Sequence, residues 1–267
     1  MIRQVIWKYR DQGFHGILRE AANRLLAIAG PEHPHGDRSP MRSALDWLAK
    51  RPSFSIVQIG AYVGDSDSDP LCRFLREQFG PMRADRRNGC QVVLVEPVRE
   101  YFERLCENYK DLSDVYFENV AIAETEEVRD FFRLAVDPTE YGYPDWLCGL
   151  GSLKAERMTR LWDRYERNQK WKEFYLRHRV VERVRCTTLE KLFDRYQIKN
   201  LDLLQMDAEG YDYEILRSLD LNRIRPRFVN YERVLLQDDE EACRGMMKDA
   251  GYLLVDWGQD TFCSRVV

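Results

Sequence analysis

Long apolar runs are missing from this sequence: none approaches the roughly 18 uninterrupted apolar residues of a membrane-spanning helix. The N-terminus also lacks an apolar core ending in a cleavage site. Neither a transmembrane segment nor export is expected, and the chain reads as a cytoplasmic protein. Its seven cysteines form no C-x-x-C pair and are odd in number, which argues against a zinc knuckle and against a disulfide framework. The four histidines form no cluster that would point to zinc. Excess positive charge is lacking too. With 41 Lys and Arg against 45 Asp and Glu the net charge is -4, so nothing draws the whole molecule to a phosphate backbone, and nucleic acid is not an expected partner.

What is present is enough chain, 267 residues, for one large domain with a sizeable core. Residues 1–30 place apolar side chains at the three-and-four spacing of amphipathic helices, with Gly13 and Gly16 breaking the run. This segment is expected to dock on its own domain. Its mildly basic face leaves peripheral contact with an anionic membrane surface as the alternative. Pro31 to Pro40 reads as a linker. The expected organisation is a helical extension and linker over 1–50, then one domain over 51–267 with a helical insertion at about 135–180.

Within that domain short apolar runs alternate with helical stretches. Strands are expected at 54–59, 91–96, 115–122, 128–134, 181–186, 201–206 and 227–232. Helices are expected at about 68–79, 98–109, 152–178, 188–196, 210–218 and 238–250. Alternation of this kind is the pattern of a parallel sheet with crossover helices. Tyr252 to Val255 and Thr261 to Val266, around Gly258-Gln259-Asp260, read as a closing antiparallel hairpin at the sheet edge.

Three constellations carry chemistry. In Gln58-Ile-Gly60-Ala61-Tyr62-Val-Gly64-Asp65-Ser66 a strand runs into a glycine turn, where backbone could come close to a ligand and aim amides at it. A calcium-loop reading of the following Asp65, Asp67 and Asp69 fails, because Pro70 and Arg76 stand where a glycine and a glutamate are required. Those carboxylates suit a helix N-terminus instead. Tyr62 and Asp65 also break the G-x-G-x-x-G dinucleotide fingerprint. Next, Val92-Val-Leu-Val-Glu96-Pro97 ends a strand on a carboxylate able to accept both hydroxyls of a ribose. The third strand ends at Glu118-Asn119-Val-Ala121, beside the same crevice, with Asn119 able to meet an adenine edge. Finally, Leu201-Asp-Leu-Leu-Gln-Met-Asp207-Ala-Glu209-Gly210 sets two carboxylates where a strand meets its helix. Carboxyl ends of strands are where open sheets bind ligands.

Together with Thr188-Leu-Glu, Val229-Asn-Tyr-Glu232 and the closing hairpin, these segments resemble the FkbM family of S-adenosylmethionine-dependent methyltransferases, from about residue 53 to the C-terminus. Two positions depart from the family pattern: Gln58 replaces its usual acidic residue and Tyr62 its usual Asn. The resemblance implies a class I methyltransferase fold, a Rossmann-like, mostly parallel sheet of seven strands with one antiparallel strand inserted by the last hairpin. It implies S-adenosylmethionine as cofactor, S-adenosylhomocysteine as product, and a sugar or polyketide hydroxyl as acceptor. The cofactor-binding set would be Gln58, Gly60, Ala61, Tyr62, Gly64, Asp65, Ser66, Glu96, Pro97, Asn119, Ala121 and Asp207.

Transfer to a hydroxyl needs alignment and a base. Asp207 is the first choice, with Glu209 and Glu232 as supports or alternates and His178 as an outside candidate. No metal is assigned, and a magnesium ion held by Asp207 and Glu232 is the less favoured alternative. Nine basic residues between Ser152 and Arg179 outnumber four acidic ones and alternate with aromatics. The bland account of this run is a solvated helix packing on the sheet. The functional account is an anionic acceptor, phosphorylated or nucleotide-linked, entering past Tyr141, Tyr143, Trp146, Ser152 and His178. A dinucleotide-dependent oxidoreductase and a silent binding module on the same fold are the rival readings.

Overall fold

The computed structural model of the chain describes residues 39–64, 69–80, 89–157, 159 and 169–265. The expected helices of residues 1–30, most of the linker, and Asp65, Ser66 and Asp67 lie outside these residues. So do Arg160, Arg164 and Arg167 of the basic insertion.

The core is a seven-stranded sheet. Its parallel strands are β1 (Ser55–Ile59), β2 (Gln91–Val95), β3 (Val115–Glu118), β8 (Leu203–Met206) and β9 (Phe228–Glu232). The closing hairpin is β10 (Tyr252–Trp257) and β11 (Asp260–Arg265). The order across the sheet is β3-β2-β1-β8-β9-β11-β10, and β11 runs antiparallel to both its neighbours. The hairpin thus puts β11 inside the sheet and leaves only β10 at the edge.

The parallel strands are apolar on both sides because both sides are covered. Ile56, Val92 and Leu94 face one layer, built from α1 (Pro40–Ala49), α2 (Pro70–Phe79) and α3 (Arg99–Asn108). Val57, Ile59, Val93 and Val95 face the other, built from α5 (Leu189–Arg195), α6 (Asp212–Ser218) and α7 (Glu240–Asp249). The numbering leaves α4 for Gln169–His178, in the insertion. Helix α1 falls inside the stretch expected to be extension and linker, yet it buries Met41, Ala44, Leu45 and Leu48 in the core.

Two expectations are corrected by tertiary pairing. The segment expected to resume the parallel repeat at 181–186 is β7 (Arg179–Thr187). It lies in a separate four-stranded sheet, antiparallel to β5 (Val128–Leu134) and parallel to the two-residue β4 (Ala121–Ile122). The long helix expected over 152–178 begins instead as β6 (Gly151–Ser152), paired with β5, and a helical turn starts only at Ala155. Apolar patterning there marks burial, which a second sheet satisfies as well as a first. Among the described residues no helix is long and apolar enough to cross a membrane.

Candidate active site

All five parallel strands point their carboxyl ends the same way, and the loops leaving them enclose a cleft of about 1280 Å³. The turn after β1 is shaped by two glycines with positive φ. A Cβ on Gly60, at φ +75, would stand 1.9 Å from the Asp207 carbonyl oxygen, so only glycine lets the tip of β8 pass. A Cβ on Gly64 would meet Tyr109 Cε2 at 2.4 Å and Leu105 Cδ1 at 2.5 Å, against α3. The turn's amides turn inward as well. Gly60 N and Ala61 N donate to the Val95 carbonyl at 3.0 Å each, and Tyr62 N donates to Glu96 Oε2 at 2.9 Å. These three amides are therefore bound within the protein. The turn's glycines bring protein segments together.

Glu96 follows β2 and is 5 % exposed. Its two oxygens accept from Tyr62 N and from Val98 N, the latter at 2.8 Å, which fixes the carboxylate at the cleft floor. Each oxygen keeps a second lone pair for a ligand hydroxyl. Burial raises its pKa to about 7 against the pull of the two amides. Gln58 lies one row below the tips. Its Nε2 donates to Asp69 Oδ2 at 3.0 Å, and Asp69 also caps α2 by accepting from Leu71 N at 2.8 Å. Asn119 donates both amide hydrogens to the carbonyls of Glu96 and Pro97, at 3.0 and 3.1 Å. It braces the loop and does not line the cleft, whereas Pro97 and Ala121 do.

At the other end of the cleft the strand tips carry acids. One ligand oxygen each from Asp207, Glu209 and Glu232 lie within 4.8 Å of one another. Asp212, fully buried on α6, accepts from Ala208 N at 3.3 Å and Glu232 N at 3.4 Å and so fastens the β8 loop to the β9 tip. Glu209 takes a positive φ of 50, which a non-glycine residue rarely adopts. Asp207 faces the open cleft but is walled by protein behind. Burial, then the charges of Asp260 and Asp69, push its pKa up to about 6. Burial and the neighbouring carboxylates hold Glu209 and Glu232 well above the usual carboxylate range. Burial and Asp207 raise Asp212 to about 7.

Asp260 was not foreseen as a cleft residue. The register pairs it with Glu232 across β9 and β11, and it accepts from Asn230 Nδ2 at 2.8 Å. Its only sequence signal was its place in the hairpin turn. Tyr101, Arg104 and Gln205 also line the cleft unforeseen, and so does Trp171, one of the aromatics expected to alternate with the insertion's charges.

Of the expected acceptor-side residues only Trp146 lines the cleft; it is 49 % exposed and lies beside Trp171, ring centroids 5.4 Å apart. Tyr143 stacks on Phe174 at 4.3 Å, and Tyr141 and His178 join the same aromatic cluster on the insertion. Ser152 is fully buried and accepts from Lys154 N at 3.1 Å.

The basic character of the insertion does not reach the described cleft. Lys154 pairs with Glu214, and Arg157, buried, pairs with Asp239 and donates to the Leu236 carbonyl. The described lining carries Asp69, Glu96, Asp207, Glu209, Glu232 and Asp260 within, and Asp137 and Asp145 elsewhere on the wall, against Arg104 as its only Lys or Arg. Such a wall offers an anion few cationic partners.

No curated protein matches this sequence. Among solved structures, the chain is similar to an O-methyltransferase from Bacillus cereus in complex with SAH, at 11% identity and a TM-score of 0.40, covering 99% of this chain and 97% of that one. It is similar to the O-methyltransferase TomG from Streptomyces achromogenes, involved in tomaymycin synthesis and in complex with SAM, at 12% identity and a TM-score of 0.40, over 98% and 94% of the two chains. A ribosomal protein L11 methylase from Lactobacillus delbrueckii subsp. bulgaricus is similar at 9% identity and a TM-score of 0.37, over 86% and 80%. The family model of the methyltransferase FkbM domain matches residues 58–254, from the end of β1 into β10, and the chain belongs to that methyltransferase family.

Proposed function

We propose that this chain transfers a methyl group from S-adenosylmethionine to a hydroxyl of an uncharged sugar, glycan or related natural product. The observation that carries the reading is one cleft with two chemically different ends, a fixed carboxylate at Glu96 and an acidic cluster at Asp207, Glu209 and Glu232.

The Glu96 end fits a nucleoside. Val98, Val120 and Ile122 supply an apolar wall, while Glu96 has lone pairs left for ribose hydroxyls. Gln58, Gly60, Ala61, Tyr62, Gly64, Pro97 and Ala121 line the same cleft, with Asp65 and Ser66 next in the chain. When bound, S-adenosylmethionine supplies an activated methyl group carried on a sulfonium. The chain's own part is to hold the acceptor in line and to receive its proton, which falls to the carboxylates at the β8 and β9 tips, Asp207 first.

On the acceptor side, the exposed Trp146 and its neighbour Trp171 offer flat apolar faces, as sugar rings require. The acidic lining speaks against the phosphorylated or nucleotide-linked acceptor expected from the insertion's charge. Calorimetric titration of the full chain with S-adenosylhomocysteine and with NAD tests the cofactor half: heat with the former alone is expected, and no heat with it removes the reading. Radiolabelled methyl transfer into neutral compared with phosphorylated glycan pools tests the acceptor half.

A further inference from the structure

The acidic end of the cleft has more in it than one base requires. Asp207, Glu209 and Glu232 come from the tips of two neighbouring strands, and one oxygen of each falls within a 4.8 Å circle. Like charges so close repel strongly unless a proton or another positive charge stands between them. No cation of the protein does so among the described residues: Arg233, next to Glu232, is turned to Glu240 at 3.6 Å and to the Gly258 carbonyl at 3.2 Å. Asp212 and the left-handed backbone at Glu209 hold this convergence in place.

An independent observation points to a ligand. Glu232 Oε2 is sealed from solvent without a hydrogen-bond partner, and so is Gln205 Oε1 on β8, a residue that lines the cleft. Buried acceptors are ordinarily satisfied, because each one left bare forfeits the hydrogen bonds it makes with water in the unfolded chain. Glu232 belongs to the cluster, and a metal ion supplies to its carboxylate what a missing donor would.

We infer that Asp207, Glu209 and Glu232 bind a hard divalent cation beside the transfer site. The ligand set is carboxylate oxygen without nitrogen or sulfur, which selects Mg²⁺, Mn²⁺ or Ca²⁺ over zinc or copper. Oxygens on opposite sides of such an ion stand about 4.2 Å apart around Mg²⁺ and about 4.8 Å apart around Ca²⁺, so donor atoms within 4.8 Å of one another can reach one ion of this class. Each residue gives one oxygen to the ion, so Asp207 keeps its other oxygen for the acceptor's proton. Open positions on the ion would be filled by water or by adjacent hydroxyls of a sugar, which fixes which hydroxyl is presented.

The test is Mn²⁺ binding to the chelator-stripped full chain, followed by electron paramagnetic resonance, with S-adenosylhomocysteine titrated separately by calorimetry. One Mn²⁺ per chain is expected, displaced by excess Ca²⁺ or Mg²⁺. Glu209→Gln and Glu232→Gln should each weaken it by on the order of tenfold or more while the circular dichroism spectrum persists. No bound Mn²⁺ at millimolar concentration overturns the inference, as does equal binding in both folded variants. The wild-type titration decides even where a variant does not fold. Heat from S-adenosylhomocysteine without Mn²⁺ binding removes the cation site alone. Mn²⁺ binding without that heat leaves the cation site standing and removes the proposed function.

Discussion

The two ends of the cleft treat their carboxylates in opposite ways. Glu96 has both oxygens held by backbone amides, from Tyr62 and Val98, and no other acid in hydrogen-bond range. Asp207, Glu209 and Glu232 have one another, with an oxygen of Glu232 bare in the interior. A carboxylate pinned by amides is a rigid, weakly demanding acceptor, suited to hydroxyl groups that bind and leave. A crowd of carboxylates in which Asp207 has the Glu209 backbone amide while Glu232 keeps a bare oxygen is costly in the free protein and recovers that cost only when something positive, or a proton, arrives. On the proposed function, the first end positions a ligand and the second acts on one.

The seam between the ends is Gly60, and breaking it should have the largest effect. Gly60→Ala puts a Cβ into the Asp207 carbonyl at 1.9 Å, at a backbone angle that disfavours any side chain. A loss of about 3 kcal/mol or more is expected from overlap and strain together, seen as a lower midpoint in urea and as lost S-adenosylhomocysteine binding.

Titration sharpens the comparison from the Glu96 side. Its folded pKa of about 7 lies above the ordinary 4.5, so the folded chain holds this proton more tightly than the unfolded one. The resulting stability is fully present below pH 4.5 and is lost as pH rises through about 7. Between pH 4.5 and pH 8 the loss should be roughly 3 kcal/mol from this group. Denaturant unfolding of wild type and Glu96→Gln across that range isolates it. The acidic end contributes in the same direction, so the difference between the two curves is the measure, and parallel curves would count against a buried, protonated Glu96.

Arg157 ties the insertion to the loop after β9 through Asp239 and the Leu236 carbonyl. Arg157→Ala should destabilise by about 2 kcal/mol, the usual cost of removing charged hydrogen bonds from a partly buried site, and a thermal melt reads it. Were Arg157 an anion-binding residue instead, the melt would hardly move and acceptor affinity would fall. The smallest structural effect belongs to Trp146→Ala. A side chain 49 % exposed should alter stability by less than about 0.5 kcal/mol while raising the acceptor KM with little change in the S-adenosylhomocysteine affinity.

Much of this protein was legible in its residues alone. The apolar runs at 54–59, 91–96 and 201–206 read as strands and form them at 55–59, 91–95 and 203–206, the glycine turn after the first brings backbone close to its neighbours, and the carboxylates up to Asp69 suited the helix that starts at Pro70. Each is a statement about neighbours in the chain, where pattern and local sterics suffice. The charge of the insertion shows where such reading fails. Lys154 and Arg157 were visible as positive, but their partners Glu214 and Asp239 are 60 and 82 residues away. Sign is a property of a residue, whereas availability depends on what the fold brings against it.

The sequence by itself thus determined the parallel sheet, its family and the acids at its strand tips. Only the tertiary structure decided that β7 leaves that sheet for another, that Asp260 returns beside Glu232, and that Glu209 and Glu232 meet Asp207 within 4.8 Å. The reason is that convergence between distant segments follows from strand order and register, which no short stretch of chain encodes.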